Sequence, residues 1–292
     1  MTGLACTGSC GQPLVPDSVP SRYDGKCLRN TGMGLGAAMA GTLVLLDQAW
    51  YADYDRAAFH TFDDSGEWLQ MDKGGHFFNV YQMGRFGHVL FARCGTSRKA
   101  SIWAGGSLGL LFLTGVEVLD GTSAEWGFSW SDMAANTAGT AVFIGQELLW
   151  DEQRIQVKLS SHPTDYARLR PDLLGEGLAE EVLKDYNGHT FWLSANLKRF
   201  MPQSRLPDWL NVSVGYGAEG MISAFPLEPL DGVAQDHRYR QYYLAPDLDL
   251  TRIKSRSKVV RTALFILNGI KVPMPTLEFQ GTGKVVGHWL YF

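Results

Sequence analysis

No run in this 292-residue chain reaches the roughly 18 to 20 uninterrupted apolar residues of an unambiguous transmembrane helix. Hydropathy alone therefore does not write a membrane passage into it. Charge is sparse: Asp, Glu, Lys and Arg make up 19% of the residues, and the net charge is only −4. Such a balance provides no basic field for nucleic acid and no acidic solvating tail. Cysteine is sparse too. Cys6, Cys10, Cys27 and Cys94 include no second close pair and no histidine at zinc-finger spacing, which argues against a structural metal site. The near pair Cys6 and Cys10 is open to a disulfide or to two free thiols. Nucleotide binding lacks a motif: no G-x-x-x-x-G-K-[ST] occurs, and the glycines of Trp209 to Gly220 do not form a G-x-G-x-x-G ahead of a helix. The G-x-S-x-G elbow of serine hydrolases is missing as well.

What is plentiful points elsewhere. Hydrophobic residues reach 45%, with 33 Gly, 9 Trp, 11 Tyr and 15 Phe, a composition suited to tight helix packing and interfacial aromatics. Residues 1–30 are rich in Gly, Pro, Ser and Cys without a period and read as a flexible N-terminal segment. Its G-L-A-C, ending at Cys6, resembles the end of a bacterial lipoprotein signal, without the charged and apolar regions that precede such a site.

Residues 31–151 predict a helical bundle. The four helices run from Thr31 to Leu46, from Asp72 to Arg93, from Ala100 to Val116, and from a Ser129 or Ser131 cap to about Trp150. Gly32, Gly36 and Ala40 on the first helix, and Gly105 and Gly109 on the third, have the small-x-x-x-small spacing that lets helices approach closely. Trp50, Trp68, Trp130 and Trp150 mark the ends of the apolar segments, as anchors at headgroup level would. The connection from Ala52 to Met71, with Asp53, Asp55, Asp63, Asp64 and Glu67, reads as a solvated loop.

Residues 152–292 change character. Period-two stretches starting at Thr190, Asn211, Tyr239, Thr276 and Val285 predict antiparallel strands, and Gly175 to Lys184 a short helix. Near 254–270 lies a basic amphipathic helix of the kind that rests on an anionic surface, or packs as an ordinary helix with a basic cap. The fold class is α+β: a membrane-associated four-helix bundle followed by a small antiparallel β-sheet region.

Polar residues inside the greasy helices mark a candidate site. Asp72 and His76 are four apart, as are Asp132 and Asn136, while Glu117 and Asp120 are three apart, so each pair shares a helix face. If consecutive helices run antiparallel, all six residues meet at one end of the bundle. Buried carboxylates must be paired or neutralised. The same atoms then offer either a register-setting polar network or a general acid–base site, with His76 as base, Asp72 orienting it, and Glu117 or Asp132 as acid. A divalent metal on His76, Asp72, Glu117 and Asp132 ranks below metal-free chemistry, because the cluster holds a single histidine.

With these residues in view, D-K-x-x-H (Asp72, Lys73, His76), E-x-x-D (Glu117, Asp120) and S-x-x-D-x-x-x-N-x-x-G (Ser129, Asp132, Asn136, Gly139) resemble the VanZ-like group of small helical membrane proteins. W-L-Q-M-D-K and E-V-L-D-G-x-S-A-E-W-G-F-S-W-S-D-M-A-A-N look more closely like the YfiM-like family of predicted periplasmic lipoproteins. K-D-Y-N-G-x-T-F-W-L-S is similar to the longer form seen in Bacteroidota-type bacteria. The closer resemblance runs from about Trp50 onward, and the VanZ-like one covers only residues 67–140. Asp120 stands where the VanZ pattern has Gln, A-E-W-G-F replaces an Arg-bearing loop, and the strand-rich half has no VanZ counterpart.

The resemblance implies a bacterial cell-envelope protein, at the periplasm or outer membrane rather than the inner membrane. The expected partners are membrane lipids and other envelope proteins, with no nucleic acid, nucleotide or cofactor. The first functional expectation is a scaffold or accessory factor. The second is a membrane-embedded hydrolase or transferase acting on a lipid-linked or cell-wall precursor by general acid–base chemistry.

Overall fold

The computed structural model describes residues 23–52, 54–226 and 237–292. Cys6, Cys10, Asp53 and the Trp50 side chain lie outside that description. The chain is α+β. A layer of helices comes first: α1 (Gly25–Trp50), α2 (Met71–Arg93), α3 (Arg98–Gly106), α4 (Leu108–Asp120) and α5 (Trp130–Trp150). Strands β1 (Ile155–Ser161), β2 (His189–Asn196), β3 (Leu210–Glu219), β4 (Tyr239–Leu248), β5 (Met274–Gln280) and β6 (Val285–Tyr291) follow. They form one antiparallel sheet in sequential order. Between strands lie the short helices α6 (Pro171–Leu174), α7 (Leu178–Lys184) and α8 (Leu197–Phe200), and the amphipathic α9 (Lys258–Leu267).

Helix α2 is the hub of the helical layer. Its Tyr81 packs with Ile102 of α3, Phe143 and Ile144 of α5, and Val157 of β1 in one core. Glycine makes the close approaches possible. A Cβ on Gly109 of α4 would lie 2.5 Å from the Val80 Cα, and one on Gly139 of α5 would lie 2.4 Å from Val80 Cγ2. Only a residue without a side chain fits there. The small-residue face expected on the third helix is therefore used. The one on α1 is not: a Cβ at Gly32 or Gly36 would meet nothing within 4 Å.

Three expectations about the helices change. The first helix begins at Gly25, inside the segment read as flexible, because Asp24 caps it by accepting from the Lys26 and Cys27 amides. The third is two helices meeting at Ser107. Together Arg98–Asp120 are long and apolar enough to cross a membrane by composition, and a third of the most apolar window is buried within the fold. A core helix meets the same criterion. Trp68 is no headgroup anchor, since it is buried with Met71, Leu174 and Met221.

A disulfide joins Cys27 at the start of α1 to Cys94 at the end of α2, 67 residues apart, with a Cα separation of 5.4 Å. No local spacing announces this pair. Disulfides persist in oxidising compartments, the periplasm among them.

The sheet packs on the helices through β1 and β2. Gln82 Nε2 of α2 donates to the Val157 carbonyl at 2.7 Å, and Phe191 of β2 fills the space above Gly74. Strand β1 was not expected from the sequence. Besides Val157, which faces the helical core, its buried positions are Gln156, Lys158 and Ser160, so an alternation that normally marks a solvent face here marks the inside.

Candidate functional site

The expected convergence occurs. His76 from the second turn of α2 places Nδ1 3.1 Å from Asn136 Oδ1 of α5. The same nitrogen lies 3.8 Å from Glu117 Oε1 of α4, and Nε2 lies 3.7 Å from Asp132 Oδ2 of α5. These last two separations are just beyond direct hydrogen-bond range. Local capping fixes the geometry: Ser129 Oγ accepts from the Asp132 amide, and Glu117 Oε2 accepts from the Ser129 amide, both at 3.0 Å. The end of α4 is thereby tied to the start of α5.

Beside this group lies a second one that sequence reading did not assemble. Lys73 Nζ sits 2.6 Å from Asp72 Oδ2, 2.7 Å from Asp64 Oδ2 and 3.1 Å from Asp132 Oδ1. Asp64 belongs to the connection read as a solvated loop, yet it is buried and accepts from the Ser129 and Ser131 hydroxyls at 2.5 and 2.6 Å. Asp72 therefore pairs with Lys73, and the side chain that holds His76 is Asn136. Asp120 turns away to accept from the Tyr51 hydroxyl at 2.6 Å.

The loop is delivered by an unusual backbone. Trp68, Leu69 and Gln70 all have positive φ, at 47°, 51° and 67°. Non-glycine residues held there cost on the order of 1 to 3 kcal/mol each. Compensating contacts surround them: Trp68 N–H donates to the Ala224 carbonyl at 2.8 Å, the Leu69 carbonyl accepts from the Tyr216 hydroxyl, and Arg240 donates to Gln70 Oε1 at 2.6 Å. The sheet thus clamps the turn that precedes the site.

Burial splits the titrations. It raises Glu117 to about 8, against the Ser129 amide bond that favours its charged form. It raises Asp132 to about 8, and a hydrogen bond with Asp64 acts in the same direction. His76 is lowered by burial to about 4, with the Asn136 bond opposing. Asp64 is buried too, but its bonds from Asp132, Lys73, Ser129 and Ser131 outweigh that and hold its pKa below the usual carboxylate range. Burial works against the Lys73 charge, and its carboxylate neighbours overcome it. At neutral pH the cluster holds two carboxylic acids, a neutral imidazole, and a lysine neutralised by aspartate. With Nδ1–H donating to Asn136, His76 Nε2 is the free acceptor.

Several buried polar atoms in the cluster have no hydrogen-bond partner among the described residues: Asp72 Oδ1, Glu117 Oε1 and Asn136 Nδ2. Asp132 Oδ1 is close to Lys73 but lacks hydrogen-bond geometry. His76, Glu117 and Asp132 present ligand atoms within 4.8 Å of one another, as do Asp64, Asp72 and Asp132. The Lys73 ammonium already occupies the middle of the second trio. The first trio is not centred on Lys73.

Fold and site together define an α+β protein whose helical layer carries a buried carboxylate–imidazole cluster clamped by a sheet. Residues 60–145 match the family described as "Predicted periplasmic lipoprotein (DUF2279)". That stretch contains every residue of the cluster. An envelope location, in the periplasm or at the outer membrane, agrees with that family. No curated protein and no solved structure matches the chain.

Proposed function

We propose that this chain is a cell-envelope protein whose helical layer performs general acid–base chemistry, with His76 Nε2 as base and Glu117 or Asp132 as acid. The unpartnered buried atoms carry the reading. A network built only to fix helix register gains by satisfying its members, because each buried group left unpaired costs about 1 to 3 kcal/mol. Here Asp72, Glu117 and Asn136 each leave an atom unpaired within one cluster, next to a histidine that retains some exposure. The shifts of the acids to about 8 and of the imidazole to about 4 leave protonated acids beside an unprotonated base at neutral pH, the division of roles that acid–base chemistry uses.

The charge balance bears on the substrate. Lys73 is the cation in the cluster, and the Asp64 and Asp72 carboxylates beside Asp132 already neutralise it, which disfavours a phosphate as the reacting group. A hydroxyl, amide or glycosidic linkage of a lipid-linked or cell-wall precursor suits neutral acids and a neutral base. Kinship with the YfiM-like and VanZ-like proteins, and contact with membrane lipids or other envelope proteins, belong to the same reading. The test is rescue of a deletion strain by His76→Gln and Asp132→Asn, with the exposed Lys99→Ala as control. The proposal expects both site variants to fold and localise but fail to rescue while the control succeeds. Full rescue by both would leave the scaffold role instead.

A further inference from the structure

The sheet is inside out. In a water-exposed antiparallel sheet the apolar face is buried and the polar face is wet. Here the buried positions are largely polar: Lys158, Ser194, Asn211, Gln241, Asp247 and Glu278 are all below a tenth exposed, with Trp192, Tyr243 and Ala245 packed among them. Several of them bond one another within the concave side. Lys158 Nζ lies 2.8 Å from Asp247 Oδ2, Ser194 Oγ donates to that same oxygen at 2.5 Å, and Gln241 Nε2 donates to Glu278 Oε1 at 2.8 Å.

The sheet also curls. Strands β2 and β6 are four steps apart in order, which at about 4.8 Å per step would separate them by roughly 19 Å in a flat sheet. Yet the Thr190 and Tyr291 hydroxyls are 2.9 Å apart. The far edge of β1 is covered by the segment entering β5, through Leu159 N–H to Gly269 O and Lys271 N–H to Leu159 O, each 2.9 Å.

The convex side is apolar. Near β1 and β2 the helices cover it, and beyond them it continues uncovered across Val214, Leu244, Leu277, Phe279 and Trp289, the last being 89% exposed. A groove of about 720 Å³ runs along it, lined by Leu210, Val212, Leu244, Pro246, Leu277 and Trp289 among others. Polar inside and apolar outside is the arrangement of sheets solvated by hydrocarbon. Its height is limited. The outward positions of β4 from Tyr242 to Pro246 span about 14 Å at ~3.4 Å per residue, roughly half of the ~25 Å apolar band of a spanning barrel. At the rim, exposed Lys254, Arg256 and Lys258 lie beside exposed Ile253 and Val259. Cations next to apolar side chains complement anionic headgroups over acyl chains.

We infer that the convex face of β3 to β6 sits in the acyl region of one leaflet of a membrane, with the approach to α9 at its anionic headgroups. This surface is separate from the acid–base cluster, so either reading can fail without the other.

The test uses the full chain with vesicles of equal phosphatidylethanolamine and phosphatidylglycerol, with and without bromine on the acyl chains. Brominated chains should quench tryptophan fluorescence, and Trp289→Phe should remove most of the quenched component. Leu244→Glu with Leu277→Glu should weaken vesicle partition by about twentyfold or more, given the apolar area those half-exposed side chains have still to bury. Far-UV circular dichroism should stay unchanged, and Arg168→Ala should partition like the parent. A lipid anchor would hold the protein at vesicles without placing Trp289 among acyl chains, so quenching separates insertion from tethering. Absent quenching, quenching indifferent to Trp289→Phe, or a lipid-free dimer that shields Trp289 would each overturn the inference.

Discussion

Replacing Glu117 by Gln should make the protein more stable at neutral pH while removing its function. Glu117 is 1% exposed, accepts one hydrogen bond, from the Ser129 amide, and has its other oxygen unpartnered. Its folded pKa stands at about 8 against an ordinary 4.5. Between those values the unfolded chain has lost the proton and the folded chain has kept it, so stability falls as pH rises through that window. The slope approaches about 1.4 kcal/mol per pH unit, and by pH 7 the accumulated cost is about 3 kcal/mol. Glutamine keeps an acceptor for the Ser129 amide and has no ionisation to suppress. Urea unfolding at a series of pH values from 5 to 8 should therefore show the variant gaining on the parent as pH rises, with the two nearly equal at the acid end. Parallel curves, or a variant less stable throughout, would refute the assignment of a protonated Glu117.

Removing the central cation should do the opposite: Lys73→Met leaves the Asp64 and Asp72 carboxylates uncompensated beside protonated Asp132. It should cost about 3 to 5 kcal/mol at pH 7, less in acid as those carboxylates take up protons, as read from thermal midpoints at both pH values. Gly139→Ala should drive α5 away from Val80 and Phe77 and cost about 1 to 3 kcal/mol, with loss of the His76–Asn136 hydrogen bond visible in the imidazole nitrogen shifts. Zn²⁺ titrated into the protein should displace the protons of Glu117 and Asp132 if the His76 trio takes a cation. Calorimetry in buffers of different ionisation enthalpy would then show proton release and an affinity that climbs with pH, whereas heats independent of buffer would count against it. Reducing the Cys27–Cys94 disulfide should lower stability by at most about 4 kcal/mol for its 67-residue loop. Cleavage by protease should then begin in α1, and cleavage elsewhere first would contradict its peripheral place.

Helical spacing made much of the site legible. Asp132 and Asn136 four apart, and Glu117 one helix earlier, sufficed to place three side chains around His76, because short connections force neighbouring helices to alternate direction. Asp64 was hidden because nothing in D-D-S-G-E distinguishes a wet aspartate from one that a clamped left-handed turn folds under Ser129 and Ser131. The same blindness assigned the orienting role to Asp72, whose partner turned out to be its own neighbour, Lys73. Five strands were readable from alternation, but alternation gives a period and not a direction. The habit of placing polar residues in water obscured β1, whose Lys158 is fully buried against Asp247. The disulfide left no trace in spacing because its halves come from opposite ends of two helices.

Carboxyl infrared spectroscopy addresses the central claim, that acids remain protonated beside a neutral imidazole at neutral pH. Difference spectra of the parent against Glu117→Gln and against Asp132→Asn at pH 7 should each lose a protonated-carboxyl stretch, and titration should place its disappearance near pH 8. If both side chains are already carboxylates at pH 7, with His76 protonated between them, the cluster is an ordinary ion-pair network and the acid–base account fails.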